Sequence, residues 1–178
     1  MKLIKDVETA LKVQDYSKKP AIKGVRILKL KRFNDDGGSL TEILRFNEGF
    51  SSDFPDFNIA QINYSEMDPG VIKAFHIHKN QQDIWYIPPS DKLLIVLIDL
   101  REGSETEGIK MRIVSGDCNS ILLLIPTGIA HGCKNISDKT SRIIYVMDKH
   151  FTPEKEKCDE GRLPWDYAGK DIWEINKG

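Results

Sequence analysis

Residues 71–78 read VIKAFHIH and place two histidines, His76 and His78, one residue apart in a stretch with the composition of a β-strand. Side chains two residues apart in a strand point to the same face. Strict alternation therefore predicts that Ala74, His76 and His78 share one face and that Lys73 lies on the other. Such a histidine pair suits metal ligation, acid–base chemistry or simple polar packing, and the rest of the sequence has to distinguish these uses.

Short strand-like segments separated by turn residues surround this stretch. KLLIVLIDL (92–100) is apolar on both faces, as a buried central strand would be, and IKMRIV (109–114) alternates cleanly. Turn signals such as NDDGGS (34–39) and DPG (68–70) lie between the segments. The pattern predicts an all-β fold, either a barrel or a double-sheet jelly roll, with short peripheral helices.

The length and composition indicate one ordinary globular domain. The chain has 178 residues and a net charge of −1, which gives no overall basic field for nucleic acid. Its apolar runs are too short to span a bilayer, and its first residues lack the apolar core of a signal peptide. We predict an N-terminal arm or short helix over residues 1–21, a single domain over 22–178, and a charged surface segment, irregular or helical, over 152–164. The three cysteines are an odd number without a pairing motif, and we expect reduced thiols and a cytoplasmic location.

A third histidine lies in IPTGIAHGCKN (125–135), where Pro126 and Gly128 predict a turn that delivers His131 to the next strand. Together, His76, His78 and His131 could ligate a divalent metal such as Fe, Mn, Ni or Zn, with Asp83 as a possible fourth ligand. Buried histidines that merely satisfy the core are the alternative.

The two histidine segments resemble the cupin superfamily. Gly70, His76, His78 and Asp83 follow the spacing of its first motif, with Asp in place of the usual Glu, and residues 126–135 match its second motif, P-x-G-x-x-H-x-x-x-N. This resemblance implies a cupin double-stranded β-helix, the jelly-roll barrel, over residues 22–178.

A closer resemblance is to the dTDP-4-dehydrorhamnose 3,5-epimerases. VIKAFHIH (71–78) resembles their R-G-L-H segment, LIDLREGSETEG (97–108) their D-x-R-x-x-S-x-T-x-G stretch, and IPTGIAHG (125–132) their I-P-x-G-F-A-H-G turn. The resemblance runs from about Ile22 to Trp173.

This family resemblance implies a cofactor-free isomerase that acts on a dTDP-linked 4-keto-6-deoxyhexose in deoxysugar and cell-surface polysaccharide biosynthesis, lipopolysaccharide included. His76 would be the base and Tyr145 the acid, and Asp83 would join them in the catalytic group. The implied substrate-binding residues are Glu42, Gln61, Asn63, Lys73, His78 and His131. The family also implies a homodimer whose N-terminal strands cross between subunits.

The sequence departs from this family where charge matters most. Asp83 stands where a lysine holds the developing negative oxygen, and the aspartate that orients the catalytic histidine has no counterpart, so Asp83 or Asp171 would have to replace it. The H-x-H-K arrangement also resembles the dTDP-sugar 3,4-ketoisomerases. A ketoisomerase, a metal-dependent cupin enzyme that uses His76, His78 and His131, and a non-catalytic sugar-nucleotide-binding protein therefore remain alternatives.

Overall fold

The computed structural model describes residues 1–13 and 21–175, which form fourteen strands, one short α-helix and one 3-10 helix. The helices are α1 (Lys5–Ala10) and a 3-10 turn at Lys170–Trp173. The strands are β1 (Arg26–Lys29), β2 (Arg32–Asp35), β3 (Gly38–Thr41), β4 (Phe46–Asn47), β5 (Phe50–Ser51), β6 (Gln61–Met67), β7 (Ile72–Ile77), β8 (Asp83–Tyr86), β9 (Lys92–Asp99), β10 (Lys110–Gly116), β11 (Ile121–Ile125), β12 (Ile129–Asn135), β13 (Ser141–Met147) and β14 (Gly161–Arg162).

Ten of these strands form two five-stranded antiparallel sheets. The first sheet has the order β1-β11-β8-β13-β6 and the second the order β10-β9-β12-β7-β14. Strands adjacent in sequence, such as β11 and β12 or β7 and β8, lie in different sheets, as in a jelly roll. The hairpins β2–β3 and β4–β5 stand apart from the sheets. The predicted all-β jelly-roll fold is confirmed.

The main core fills the space between the two sheets. On β9, Leu93, Ile95 and Leu97 point into it, while the alternate residues Leu94 and Val96 pack on the outer side of the second sheet. Both faces of β9 are therefore buried, as its apolar sequence predicts.

The outer face of the second sheet is covered by the C-terminal segment. The indole of Trp173, in the 3-10 helix, is buried and lies 5.3 Å, centroid to centroid, from the ring of Phe75 on β7. Its Nε1 donates to the carbonyl of Trp165 at 2.8 Å, which ties this segment to itself. Because this C-terminal segment covers the outer face of β7, the apolar side chains on that face are shielded from solvent.

The charged segment 152–164 differs from its prediction. It is partly irregular, but Gly161 and Arg162 form β14, which extends the second sheet beside β7. No periodicity marks so short a strand, and its pairing comes from a distant segment of the chain. At the N-terminus, α1 lies within the predicted arm, while residues 14–20 of that arm lie outside the described residues. Over residues 1–13 and 21–175, no helix has the length and apolar character needed to cross a membrane.

Candidate active site

A cavity of about 550 Å³ lies between the two sheets at one end of the barrel. Strands β6, β8 and β13 of the first sheet and β7 and β12 of the second contribute side chains to its wall, and residues 149–152 and 157–162 form its rim. This volume falls in the usual range of small-molecule sites, about 300–1,000 Å³.

Strand β7 reaches the cavity through a β-bulge. His131 on β12 pairs with His76 on β7, and Cys133 pairs with Lys73. The same stretch of ladder therefore takes two residue steps on β12 and three on β7. The extra residue brings Lys73 onto the cavity wall together with His76 and His78, and leaves Ala74 packed on the outer cluster. The alternation predicted from the sequence is therefore wrong for Lys73 and Ala74, because an inserted residue exchanges the faces of everything before it.

Two glycines make this arrangement possible. Gly128 adopts φ +75° in the predicted turn after Pro126, and β12 begins at the next residue, which delivers His131 to a buried position. Gly132 faces the bulge, and a Cβ added there would lie 2.3 Å from the Cβ of Ala74. Only glycine lets β12 approach β7 so closely.

A buried carboxylate, Asp83, forms the floor of the cavity. Its Oδ1 accepts a hydrogen bond from Nε2 of Gln81 at 2.8 Å, and its Oδ2 accepts one from Nε1 of Trp85 at 3.3 Å. Oδ2 also lies 3.6 Å from Nε2 of His131 and 3.9 Å from Nε2 of His78. Two imidazoles thus converge on one carboxylate oxygen.

Backbone carbonyls orient both imidazoles. Nδ1 of His78 lies 3.1 Å from the carbonyl oxygen of Asp159, and Nδ1 of His131 lies 2.9 Å from that of Ile129. A carbonyl oxygen only accepts, so each Nδ1 carries a proton and, in the neutral ring, Nε2 presents its lone pair to Asp83. Burial lowers the pKa of His131 below its usual 6.5, and the negative charge of Asp83 opposes that effect only in part.

His76 stands apart from that group, on the side of β14. Its Nδ1 lies 3.7 Å from Oε1 of Glu160, whose carboxylate is also bound by the guanidinium of Arg162, the residue paired with His76 across the sheet. Its Nε2 is buried and has no hydrogen-bond partner among the described residues. Burial, then repulsion by His131 and Arg162, lowers the pKa of His76 from 6.5 to about 4, against the attraction of Glu160. The ring is therefore neutral at pH 7 and able to accept a proton.

Tyr145 faces this cavity from the other sheet. It lies on β13, directly paired with Asn63 of β6, and its ring centroid is 6.3 Å from that of Trp85. Because His76 lies on β7 of the second sheet and Tyr145 on β13 of the first, a molecule bound in the cavity would have these two groups on different sides.

Residues 19–165 match the family model described as dTDP-4-dehydrorhamnose 3,5-epimerase. The chain belongs to this family. It is 39% identical to the spore coat polysaccharide biosynthesis protein SpsL of Bacillus subtilis, over 82% of this chain and 91% of that protein. It is 31% identical to a Haloferax volcanii protein named a probable low-salt glycan biosynthesis epimerase, Agl13, over 83% of this chain and 90% of that one.

The fold agrees with solved structures of the family. The crystal structure of dTDP-4-dehydrorhamnose 3,5-epimerase from Elizabethkingia anophelis is 25% identical and superposes with a TM-score of 0.70, covering 90% of this chain and 86% of that one. The family resemblance stated from the sequence is thereby confirmed, and so is the predicted class of enzyme, an isomerase of the epimerase type.

Most of the site residues expected from the family occupy the cavity. Those that line it are His76, Tyr145, Asp83, Asn63, Lys73 and His78. Two of the expected residues contact the wall without lining the cavity. Nε2 of His131 lies 3.6 Å from Oδ2 of Asp83, and Nε2 of Gln61 donates to Oδ1 of Asn63 at 2.9 Å. Glu42 is exposed, pairs with Arg45 at 2.7 Å, and does not line the cavity of its own chain.

Sequence reasoning missed the residues of the rim. The carboxylate of Asp159 accepts backbone N–H groups of residues 79, 80 and 81 and so holds the loop after β7. Of the two proposed replacements for the orienting aspartate, Asp83 contacts His78 and His131 instead, and Asp171 is exposed. The carboxylate beside His76 is that of Glu160. Only an acidic pair before Gly161 hinted at this role, within a segment that otherwise reads as solvated surface.

Proposed function

We propose that this member of the family removes and returns a proton next to the ketone of a nucleotide-linked 4-keto-6-deoxyhexose, as a 3,5-epimerase does. One observation carries this proposal: His76, neutral and with an unpartnered buried Nε2, shares one cavity with Tyr145, which lies on the opposite sheet.

The chemistry balances without an added oxidant or reductant. A proton on C3 or C5 is acidic because the adjacent C4 carbonyl accepts the electron pair of the broken C–H bond and becomes an enolate oxygen. His76 would take that proton through Nε2, and Tyr145 would donate its hydroxyl proton to the same carbon from the opposite face, which inverts the centre. The ketone of the substrate is its own electron sink, so the reaction needs no organic cofactor.

The positive charges on the cavity wall suit the diphosphate of a nucleoside diphosphate sugar. The ammonium groups of Lys73, Lys149 and Lys157 and the guanidinium of Arg162 all border the cavity. Nζ of Lys73 is held by Oγ of Ser65 at 2.7 Å, which fixes one of these positive charges in place. Cations of this kind bind phosphate groups through charge-assisted hydrogen bonds. A dTDP-linked substrate is therefore proposed, with its sugar beside His76.

We also propose a homodimer in the cytoplasm, acting in the synthesis of surface polysaccharides, lipopolysaccharide among them. Strand β6 is an edge of the first sheet, and its Ile62 and Tyr64 expose more than half of their surface, as does Leu40 on the hairpin β2–β3. Exposed edge strands with apolar side chains favour pairing with a second chain. Glu42, exposed near that hairpin, would then contact the nucleotide in the partner's cavity. Sedimentation equilibrium checks this: a monomer at micromolar concentration would contradict the dimer.

Proton exchange tests the reaction directly. The protein is incubated with dTDP-4-keto-6-deoxyglucose in heavy water, and deuterium at C3 and C5 is followed by NMR. We expect deuterium at one or both carbons, none with His76→Ala, and retained exchange but slowed inversion with Tyr145→Phe. Matching thermal melts show that each variant is folded. A folded His76→Ala that exchanges at the wild-type rate would contradict the assignment of the base.

A 3,4-ketoisomerase reaction and a metal-dependent cupin reaction are the two alternatives. A 3,4-ketoisomerase would return the proton to a different carbon and move the ketone, which the carbon spectrum of the product reports. A metal-dependent cupin reaction is favoured by one observation, the clustering of His78, Asp83 and His131, whose potential ligand atoms all lie within 4.8 Å of one another.

A further inference from the structure

Residues 79–82 form a short crossing loop that leads from β7 in the second sheet to β8 in the first, and two of them line the cavity. Each of the four backbone N–H groups of this crossing loop donates to a carboxylate from outside it, on Asp148 or Asp159. We propose that Asp148 and Asp159 are positioning residues: they attach the crossing loop to both sheets and so set the separation between His76 and Tyr145. This inference rests on the proton transfer proposed above, in which those two side chains act from opposite sheets.

Asp159 attaches the crossing loop to the second sheet. Its Oδ2 accepts the N–H groups of Asn80 at 2.8 Å and of Gln81 at 2.9 Å. Its Oδ1 accepts the N–H of Lys79 at 3.2 Å and Nδ2 of Asn80 at 3.0 Å. Partial burial alone would raise the pKa of Asp159, but these donors outweigh it and lower the pKa below its usual value, so both oxygens are acceptors at pH 7. Asp159 lies two positions before β14, the strand that pairs with β7.

Asp148 attaches the end of the crossing loop to the first sheet. Its Oδ1 accepts the N–H of Gln82 at 2.9 Å, and its own N–H donates to the carbonyl of Gln82 at 3.3 Å. Asp148 directly follows β13, the strand that carries Tyr145. The N–H groups of the crossing loop are therefore divided between the two sheets, and a change in the distance between the sheets at this point would break some of these bonds.

The separation of the two sheets matters most for inversion. His76 can return a proton, or a deuteron gained from solvent, to the face from which it took one, and this requires only the second sheet. Delivery of a proton by Tyr145 to the opposite face requires both sheets in place, because the donor must approach within about 2.6–3.2 Å. Misplacement by about 1 Å can cost about 100-fold in rate. Loosening the crossing loop should therefore slow inversion more than it slows deuterium exchange.

The ratio of inversion to exchange tests this role. The wild type, Asp159→Ala, Asp159→Asn and Asp148→Ala are each incubated with dTDP-4-keto-6-deoxyglucose in heavy water, and NMR follows both deuterium uptake and the configuration at the exchanging carbon. We expect inversion to fall at least about tenfold in both alanine variants, with exchange within about threefold of the wild type. Asp159→Asn should resemble Asp159→Ala, because an amide offers one acceptor oxygen where the carboxylate offers two.

Asp138→Asn is the matched control. Asp138 is an exposed aspartate in the turn that precedes β13, at the other end of that strand from Asp148, and its replacement should leave the ratio unchanged. Asp159→Ala and Asp148→Ala variants that melt like the wild type and keep its ratio would overturn the proposal, as would equal losses of inversion and exchange. A wild type that neither exchanges nor inverts would instead contradict the proposed reaction, and this role with it.

Amide hydrogen exchange reports on the attachment itself and requires no turnover. Lys79 and Asn80 are exposed, so their amides should exchange freely if the carboxylates did not bind them. In the folded wild type, we expect the four amides of the crossing loop to exchange at least about tenfold more slowly than in an unstructured peptide. Asp159→Ala should remove the protection of the first three amides, and Asp148→Ala that of the fourth. If neither variant folds, unprotected amides in the wild type would still overturn the proposal.

Discussion

Replacing Glu160 with Gln isolates the effect of one negative charge on His76. The two side chains are partly buried, with 23% and 27% of their surfaces exposed, and Oε1 lies 3.7 Å from Nδ1. In the proposed reaction His76 gains a proton and with it a positive charge, which a neighbouring carboxylate stabilises more than it stabilises the neutral ring. Gln keeps the size of the side chain and removes the charge, so the proton transfer should slow.

The geometry sets the size of this effect. Unit charges 3.7 Å apart interact by about 1.1 kcal/mol in water and by about 4.5 kcal/mol at an effective dielectric constant of 20. Arg162, bound to the same carboxylate, cancels part of the field, and the remaining exposure screens more. We therefore expect a loss of about 1–2 kcal/mol, which is about a 5- to 30-fold decrease in kcat.

The assay compares kcat and KM for epimerisation across pH. A positioning residue should lower kcat and shift the acid limb of the pH profile downward, because loss of the carboxylate lowers the pKa of His76 further. KM should change little, and Glu160→Asp should recover part of the rate. Glu156→Gln, an exposed residue on the same segment, is the matched control. A Glu160→Gln enzyme within twofold of the wild type in kcat would refute the reasoning.

Three further predictions follow from other contacts. Gly132→Ala would place a Cβ 2.3 Å from that of Ala74, so urea unfolding should show a loss of about 3 kcal/mol, and an unchanged midpoint would contradict the close approach. The guanidinium of Arg101 binds the buried carboxylate of Asp99 and holds its pKa below the usual value. This ionised carboxylate therefore stabilises the fold above about pH 4, and the stabilisation is lost as the pH falls toward the folded-state pKa. In thermal melts, Asp99→Asn should lower the free energy of unfolding by about 3 kcal/mol at pH 7 and by less at about pH 3. Tyr145→Phe should slow inversion at least about tenfold while deuterium exchange persists, and equal loss of both would place Tyr145 in the abstraction step.

The fold was predictable because its strands have clear periodicity. The uniformly apolar β9 and the alternating β10 show their environments in their own residues: Leu93 lies in the main core, and Met111, on the apolar face of β10, packs against it. The bulge in β7 was not predictable in this way. Strict alternation assumes an unbroken ladder, whereas the extra residue before His76 shows only when β7 is paired with Gly132 and its neighbours on β12.

The residues of the candidate site were likewise predictable only in part. His76, Asp83 and Tyr145 lie in segments that the family resemblance covers, and all three line one cavity, as that resemblance implies. Glu160 and Arg162 come from a segment rich in charge and without periodicity, where a functional carboxylate looks like any solvated one. What places them is the pairing of β14 with β7, a contact between residues more than 80 positions apart.

Two departures from the family can be read as one redistribution of charge. At position 83 a carboxylate stands where the resemblance leads one to expect a cation, and it is enclosed by His78 and His131. On the other side of His76, β14 brings a carboxylate and a guanidinium together, with Glu160 on Nδ1 and Arg162 at the wall of the cavity. A carboxylate beside the imidazole of His76 and a cation on the cavity wall are thus both present, but they come from a different strand. If this is how the reaction is retained, Arg162→Met should reduce kcat more than Lys157→Met, since both border the cavity but only Arg162 pairs with His76, and equal effects would show that the two cations serve only to bind phosphate.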